Sequence, residues 1–273
     1  MIRTDEIFDL IGALKTEGAR FAVATVVRTV SLTAAKAGAK AVIRADGTIE
    51  AGWIGGGCAR GAVLRAARAA IADGRPRLVS VQPSDLLQAG GAVAGEDREG
   101  IHFEKNLCPS QGSIDVFVEP MLPRPELLVC GATPVAAALL GLARRFGYQA
   151  LLAAPESAQL DSEAPDLRLT AYRFDDLPPA ERYIVVATQG SGDQAALAAA
   201  LRASALYVGF VGSRRKIAAL RASLVAEGFD PARLDALHAP AGLPIDAVTP
   251  EEIALSILAE ITAIRRRHDR APL

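Results

Sequence analysis

Cysteine and histidine are scarce in this chain of 273 residues, which has three of each. The cysteines show no CxxC spacing and are too few for a disulfide framework. That excludes the disulfide-rich secreted scaffolds and makes a zinc site a poor fit. No Ser-His-Asp signature and no paired-carboxylate pattern occurs. We therefore predict a reducing, cytoplasmic compartment.

The composition does not support binding to a membrane or to nucleic acid. No apolar run approaches the roughly 18 residues of a membrane-spanning helix, so we expect no integral membrane segment. The net charge of −1 provides no general attraction to nucleic acid or lipid headgroups. The first residues begin an acidic amphipathic helix rather than a signal peptide.

Residues 1–120 have the pattern of an α+β domain. Apolar spacing predicts helices over 5–17 and from 58 to about 72, and strands at 21–30, 39–44, 48–54, 77–81 and 113–119. Glycines and prolines predict a long loop over 82–112. Pro120, Pro123 and Pro125 form a stiff connector, and we place the domain boundary there.

Residues 126–273 alternate strands with helices. Strands are predicted at 127–130, 150–154, 183–188 and 206–210, and a capping box at Thr249–Glu252 opens a final helix. Such alternation is typical of a doubly wound parallel sheet. The predicted fold class is therefore α/β: an N-terminal α+β domain that bears cysteines, followed by a Rossmann-like domain with a C-terminal helix.

Three consecutive glycines precede the first cysteine. Gly55, Gly56 and Gly57 cost roughly 0.5–1 kcal/mol each relative to alanine, so a positive φ or the close approach of a ligand must require them. Cys58 follows in the first helical turn, where free N–H groups and the helix dipole favour an anion. It is a candidate reactive thiolate. The alternative is a small buried residue under a glycine turn.

The two other cysteines lie in different contexts. Cys108 occupies a second glycine-containing turn, in the same half of the chain as Cys58, which favours a shared thiol site. Cys130 ends a central strand, and we predict that it is an inert core residue.

The first turn of the second half is a degenerate dinucleotide-binding turn. A Rossmann sheet that binds NAD carries G-x-G-x-x-G after its first strand. Here Gly131 is the first glycine, but Thr133 stands where the pyrophosphate needs the second. Both are candidate cofactor-binding residues, yet ordinary NAD(P) binding is disfavoured. A Rossmann-like scaffold kept for packing is the alternative.

A later turn has the composition of a phosphate site. Gly212, Ser213, Arg214, Arg215 and Lys216 place a hydroxyl and three cations at the start of a helix. Cations there oppose the helix dipole by about 0.3–1 kcal/mol each. A bound phosphate would account for them. A solvated basic turn is the alternative.

Together these motifs resemble the XdhC/CoxI/CoxF accessory proteins of molybdenum hydroxylases, over most of the chain. The matching segments are 55–58, Cys108 with 114–120, 207–216, 240–243 and 249–261. The context of Cys108 is similar to the CoxF-like branch. The chain departs from typical members at 131–135, where a GAGHV-like turn is usual, and near 189–193, where a histidine-aspartate pair is absent.

The resemblance implies a maturation factor rather than a turnover enzyme. Such a factor binds or sulfurates the molybdenum cofactor and helps to insert it into a xanthine-dehydrogenase-like or CO-dehydrogenase-like enzyme. Cys58 and Cys108 would contact the molybdenum or dithiolene end, or accept a sulfur atom there. The cargo is molybdopterin, in its cytosine dinucleotide form for a CO-dehydrogenase-like client. The implied partners are an apo molybdenum hydroxylase, a cysteine desulfurase and a second copy of the chain in a homodimer.

Two other functions stay open from the sequence. One is an NAD(P)-dependent oxidoreductase with a degenerate Rossmann turn. The other is a scaffold that recruits a sulfurtransferase to its client and touches no cofactor. Replacing Cys58 and Cys108 with alanine separates the scaffold from the cofactor-binding factor, because only the latter needs the thiols.

Overall fold

The computed structural model describes residues 4–30, 35–107, 111–156, 160 and 164–270, apart from the side chains of residues 58 and 268–270. The chain divides into two compact units, Met1–Pro123 and Arg124–Leu273. Each unit has its own apolar clusters and is described by itself. In the described part of the chain, none of the helices has the length and apolar character needed to cross a membrane.

The first unit is built on a seven-stranded sheet with the order β3-β2-β1-β7-β4-β6-β5. Neighbouring strands are antiparallel except for the parallel pair of β4 and β6. The elements in chain order are α1 (Thr4–Thr16), β1 (Phe21–Val30), β2 (Lys40–Arg44), β3 (Ile49–Gly52), α2 (Gly57–Asp73), β4 (Arg77–Gln82), α3 (Ser84–Ala89), β5 (Asp97–Arg98), β6 (Ile101–Lys105) and β7 (Ser113–Met121).

Helices cover both faces of this sheet. Because side chains alternate along a strand, Ala22 and Ala24 face the opposite side from Phe21 and Val23. The first pair belongs to the cluster that contains the buried alanines of α2, and the second pair packs with Leu14 of α1. The alanine-rich face of α2 lets the helix approach the sheet closely.

The long loop predicted over 82–112 is wrong in part, because it contains α3, β5 and β6. These short elements are held by a small apolar cluster of Leu87, Ala92 and Phe103. These three residues are too far apart in sequence to form one periodic apolar run. The sequence pattern therefore indicated a loop, because the glycines between them were its clearest feature.

The second unit has a five-stranded, fully parallel sheet with the order β10-β9-β8-β11-β12. This is the Rossmann order, with its topological switch point between β8 and β11. The predicted α/β fold class is confirmed. The elements are β8 (Glu126–Cys130), α4 (Pro134–Arg145), β9 (Gln149–Ala153), β10 (Leu167–Leu169), β11 (Arg182–Val186), α5 (Asp193–Arg202), β12 (Tyr207–Phe210), α6 (Arg214–Ala226), α7 (Pro231–Asp235) and α8 (Pro250–Arg270).

The central strands of the second unit are buried on both faces, as parallel strands must be. Leu127 and Val129 of β8 pack with α4 and α8, whereas Leu128 and Cys130 pack with α5 and α6. Cys130 is fully buried, and this burial raises the pKa of its thiol far above the ordinary value. The prediction that Cys130 is an inert core residue is confirmed.

Candidate functional site

The glycine turn before α2 contains one structurally required glycine and two that the fold does not require. Gly55 has φ +112°, a conformation that residues with a side chain rarely adopt. Gly56 is the extended N-cap of α2, with φ −88° and ψ −175°. A Cβ on Gly56 or on Gly57 would meet no described atom within 4 Å. Both are exposed, so neither packing nor backbone conformation explains them.

Helix α2 also begins without a side-chain cap. Thr133, Ser213 and Asp230 accept hydrogen bonds from the first turns of α4, α6 and α7. Among the described residues, no such bond and no acidic first-turn residue occur at the start of α2, although it has 17 residues. The first backbone N–H groups of α2 thus have no side-chain acceptor among the described residues, and such groups bind solvent or a ligand. Cys58 lies in this first turn.

The start of β7 lies beside the glycine turn that precedes α2. The Cβ position of Gly55 lies 3.8 Å from Cδ1 of Ile114, at the start of β7. Asn106 donates a hydrogen bond from Nδ2 to the carbonyl oxygen of Gly112 at 2.6 Å, which draws the two flanks of segment 107–111 together. Cys108 lies outside the described residues.

Two polar features near the start of β7 were not predicted from the sequence. Asp115 accepts hydrogen bonds from Nε of Arg28 and from Oγ of Ser80, both at 2.6 Å. Ser113 is 4% exposed, and its hydroxyl has no hydrogen-bond partner in the described part of the chain. The sequence signal that could have identified Asp115 is its position as an acidic residue within an otherwise apolar strand. The described residues contain no group of three or more metal-ligand side chains.

The switch point of the second unit is packed rather than open. A Cβ on Gly131, whose φ is +107°, would lie 2.6 Å from the carbonyl oxygen of Ala187. Thr133 donates from Oγ1 to that same oxygen at 2.9 Å and accepts from the N–H of Ala136 at 3.2 Å. The hydrogen bond from Thr133 to Ala187 therefore joins the turn after β8 to the end of β11. In a Rossmann fold, a dinucleotide pyrophosphate ordinarily lies between these two segments.

The helix starts that follow β11 and β12 are joined by an ion pair. Lys216 pairs through Nζ with Oδ2 of Asp193. The other oxygen of Asp193 accepts from the hydroxyl of Thr188 and, at 2.8 Å, from the N–H of Gly190. Burial opposes ionisation of Asp193, but these contacts together hold the pKa of its carboxyl below its ordinary value. The charge of Lys216 is thus largely balanced within the protein.

The two remaining cations of the predicted phosphate turn are exposed. Ser213 caps α6 by accepting from the N–H of Lys216 at 3.3 Å. Arg214 and Arg215 form no ion pair with any described residue. A pocket of about 580 Å³ adjoins Gly212 and Arg214. Segment 240–247 supplies most of its wall, and the sequence offered no pocket signal there.

A half-buried carboxylate fixes this wall to the sheet. Glu260 of α8 accepts from the hydroxyl of Tyr207 at 2.7 Å and from the N–H of Gly242 at 2.8 Å, and it contacts Nδ1 of His238 at 2.9 Å. Burial raises the pKa of Glu260, but the hydrogen bonds from Tyr207, Gly242 and His238 outweigh it and hold that pKa below its ordinary value. Burial and the same bond raise the pKa of the Tyr207 phenol.

Two family models match the chain. The model of the XdhC and CoxI family matches residues 14–82, and that of the XdhC Rossmann domain matches residues 127–261. Both predicted halves thus find a counterpart in one family.

Individual relatives are more distant. The uncharacterized protein YqeB of Escherichia coli (strain K12) is 28% identical over 271 residues, which cover 95% of this chain and 46% of that protein. A probable xanthine dehydrogenase subunit of Bacillus subtilis (strain 168) is 27% identical over 164 residues, 56% of this chain and 47% of that protein. The chain thus spans about half the length of these curated relatives. A xanthine dehydrogenase crystal structure from Bacillus halodurans aligns over 97% of both chains, with a TM-score of 0.47 and 19% identity.

Proposed function

We propose, from the premise that the chain belongs to the XdhC and CoxI family, that it is a maturation factor for a molybdenum hydroxylase. The protein holds the molybdenum cofactor as cargo and delivers it to an apo-enzyme of the xanthine-dehydrogenase or CO-dehydrogenase type. One relative bears the name of a xanthine dehydrogenase subunit, which supports this client class. The cargo is molybdopterin or its cytosine dinucleotide form.

The start of α2 is the observation that carries the proposal. Among the described residues, no atom lies within 4 Å of a Cβ on Gly56 or Gly57 and no side chain caps the helix, and Cys58 follows directly. Backbone N–H groups there favour an anion, and a thiolate in that turn is stabilised by the same field. Thiolates are soft ligands that suit molybdenum and sulfur chemistry. Cys58 and Cys108 would hold the metal-dithiolene end, with Gly55–Gly57 giving the backbone access.

The second unit would hold a phosphate group of the cargo. Gly212, Ser213, Arg214 and Arg215 lie at the start of α6, and both arginines are exposed. The first N–H groups of a helix and guanidinium groups are both suited to binding phosphate. Lys216 contributes less to this site, since it pairs with Asp193. Gly131 and Thr133, at the turn after β8, stay candidate contacts of the cargo, and binding there would require the hydrogen bond from Thr133 to Ala187 to open.

The oxidoreductase alternative is disfavoured by the packed switch point. An NAD(P) pyrophosphate would have to displace the hydrogen bond from Thr133 to Ala187. A scaffold that only recruits a sulfurtransferase has no use for the two glycines at 56 and 57, whose cost to chain entropy is then unexplained.

Alanine replacements of the cysteines in the full chain test the proposal. Cys58→Ala and Cys108→Ala should each abolish capture of the molybdenum cofactor, measured as pterin released from the purified protein, and should abolish activation of a co-expressed apo-hydroxylase. Cys130→Ala is the matched control, because it removes a thiol buried in the second unit. Retained pterin in Cys58→Ala, with normal client activation, would contradict the proposal.

The cysteine desulfurase and the homodimer are separate predictions. Co-purification with a desulfurase that depends on Cys58 or Cys108 would support sulfuration of the cargo. Light scattering of the purified chain tests the dimer, and a monomer at micromolar concentration contradicts it.

A further inference from the structure

Helix α8 packs on the second unit through one face and leaves the opposite face outward. The helix has 21 residues, so it is about 31 Å long. Its inward side chains belong to the apolar core of the unit, and they are Ala254, Ile257, Leu258 and Ile261. Since successive residues of a helix are about 100° apart, the face opposite to these four runs along the helix through position 259.

The residues of this outward face are placed symmetrically about Ala259. Glu252 and Arg266 each lie seven residues from it, and Leu255 and Ala263 each lie four residues from it. Leu255 is 48% exposed, and the two alanines are partly exposed. The outward face therefore has an apolar centre of one large and two small side chains.

The two ends of the outward face carry opposite charges. Glu251 and Glu252 occupy the first turn of α8, whereas Arg266 and Arg267 lie near its end, and all four are exposed. The carboxylate of Glu252 accepts from the N–H groups of Val248 and Thr249, and these bonds hold its pKa below the ordinary value. The helix dipole favours these signs within one helix. The same signs make the face complementary to an inverted copy of itself.

An antiparallel copy of α8 satisfies every position of this face. With the two helices inverted about Ala259, each Glu252 lies opposite Arg266 of the other copy. Each Leu255 lies opposite Ala263, so that a large side chain meets a small one. A parallel copy would instead set Glu252 against Glu252 and Arg266 against Arg266. A contact of this inverted kind is what a two-fold symmetric homodimer requires.

The neighbouring helix leaves the outward face of α8 accessible. Helix α4 packs beside α8 in the same apolar cluster. Its partly exposed residues Ala137, Ala138 and Gly141 are small, and a Cβ on Gly141 would meet no described atom within 4 Å. A second chain can therefore lie across α8 and α4 together, which extends the contact toward the roughly 1,000 Å² that a specific interface buries.

We infer that the outward face of α8 is the surface through which two copies of this chain associate. The two α8 helices lie antiparallel, and the two-fold axis passes beside Ala259. The inference rests on the proposed function in one respect: the homodimer named there has no assigned surface, and α8 supplies it.

A cysteine at the symmetry centre gives the first test. Packed helices have axes about 8–10 Å apart and α-carbons about 2.3 Å from each axis, so the two α-carbons at position 259 would be about 5 Å apart. That separation suits a disulfide. In the full chain with Cys58→Ala and Cys108→Ala, mild oxidation of Ala259→Cys should therefore give a covalent dimer on non-reducing gels. Ala219→Cys, on the exposed side of α6, is the matched control and should stay monomeric there.

Charge reversal at either end of α8 gives the second test, read by analytical ultracentrifugation at micromolar concentration. Arg266→Glu/Arg267→Glu makes both ends of the face acidic, and Glu251→Lys/Glu252→Lys makes both ends basic. Each variant alone should dissociate about tenfold or more readily than the unchanged chain. An equimolar mixture should recover the dimer, because the acidic ends of one variant then face the basic ends of the other. Circular dichroism checks that both variants remain folded.

Four outcomes would overturn the inference. They are a monomeric unchanged chain at micromolar concentration, an undiminished dimer in Arg266→Glu/Arg267→Glu, a mixture of folded variants that stays monomeric, and equal crosslinking of Ala259→Cys and Ala219→Cys. Pterin capture keeps the two proposals distinguishable. If any of these outcomes occurs while capture depends on Cys58, the α8 assignment fails and the cargo proposal stands. If Ala259→Cys crosslinks but Cys58→Ala keeps its pterin, only the thiol proposal fails.

Discussion

Replacing the two unexplained glycines before α2 should make the first unit more stable and less able to hold cargo. Gly56 is an uncapped, extended N-cap, and Gly57 is the first helical residue. A serine at position 56 can accept from the first helical turn, which is worth a few tenths of a kcal/mol over glycine. Alanine at 57 gains about 0.4–1 kcal/mol by restricting the unfolded chain. The double variant Gly56→Ser/Gly57→Ala should therefore gain about 1 kcal/mol.

The neighbouring glycine provides the internal control. The Cβ of alanine at Gly55 would find ordinary contacts, the nearest 3.6 Å away on Ala59. The φ of +112° is nevertheless unfavourable for any side chain. Gly55→Ala should thus lower the free energy of unfolding by about 1–3 kcal/mol. Substitutions within this one turn should therefore change the free energy of unfolding in opposite directions.

Fluorescence of Trp53 reports the first unit selectively, because it is the only tryptophan in the chain. It lies directly before the glycine turn and is 46% exposed. Urea unfolding followed at Trp53 should shift to a higher midpoint in Gly56→Ser/Gly57→Ala and to a lower midpoint in Gly55→Ala.

Cofactor capture by the same variants tests whether Gly56 and Gly57 serve the approach of a ligand. The stabilised double variant should retain at least tenfold less pterin than the unchanged chain, because the new side chains occupy the space through which a ligand would approach the backbone at the start of α2. Unchanged pterin content in a stabilised variant would refute the ligand-approach reasoning. A loss of stability above about 1 kcal/mol would show that Gly56 and Gly57 are required by the fold.

Three further substitutions in the second unit have expected outcomes that thermal unfolding, followed by circular dichroism, can check. Gly131→Ala should cost about 3 kcal/mol or more, because the new Cβ would lie 2.6 Å from the oxygen of Ala187 at a positive φ; a loss below about 1 kcal/mol contradicts this. Glu260→Gln should cost about 1–3 kcal/mol at pH 7. The hydrogen bonds to Glu260 outweigh its burial and depress the pKa of its carboxyl. The stabilisation that these bonds provide is therefore complete above the unfolded-state pKa of about 4.3, and it is lost as the pH falls through the lower folded-state pKa. The difference between variant and unchanged chain should therefore shrink below about pH 4, and a constant difference down to about pH 3 would be inconsistent with it. Arg182→Met should cost about 3–5 kcal/mol, since it leaves the Glu126 carboxylate buried without its partner at 2.6 Å; the added replacement Glu126→Gln should recover much of that loss, and no recovery would argue against the ion pair as the cause.

Local patterns account for what the sequence predicted well. The regular elements of the second unit follow strand and helix periods that are readable within about ten residues, and the alternation of the two implies a parallel sheet. The short edge strand Leu167–Leu169 was not predicted, because three partly exposed residues have no period. Cys130 was correctly predicted as core, since it ends a continuous apolar strand.

The candidate sites were only partly readable from sequence. The glycines at 55–57 were recognised as a group, but their different roles depend on φ and on neighbouring atoms such as those of Ile114. Lys216 was grouped with Arg214 and Arg215 because the three are adjacent in sequence. Its pairing with Asp193 depends on the side-by-side placement of α5 and α6.

The α/β class, the strand and helix alternation of the second half and the family can all be predicted from the order of the amino acids, because periodicity and motif spacing are local properties of the chain. The folded molecule was needed to show that Thr133 closes the switch point against Ala187. It was also needed to show that residues near 212 and near 244 enclose one pocket. Contacts of this kind join residues that are distant in the chain, so no local pattern of side chains could show them.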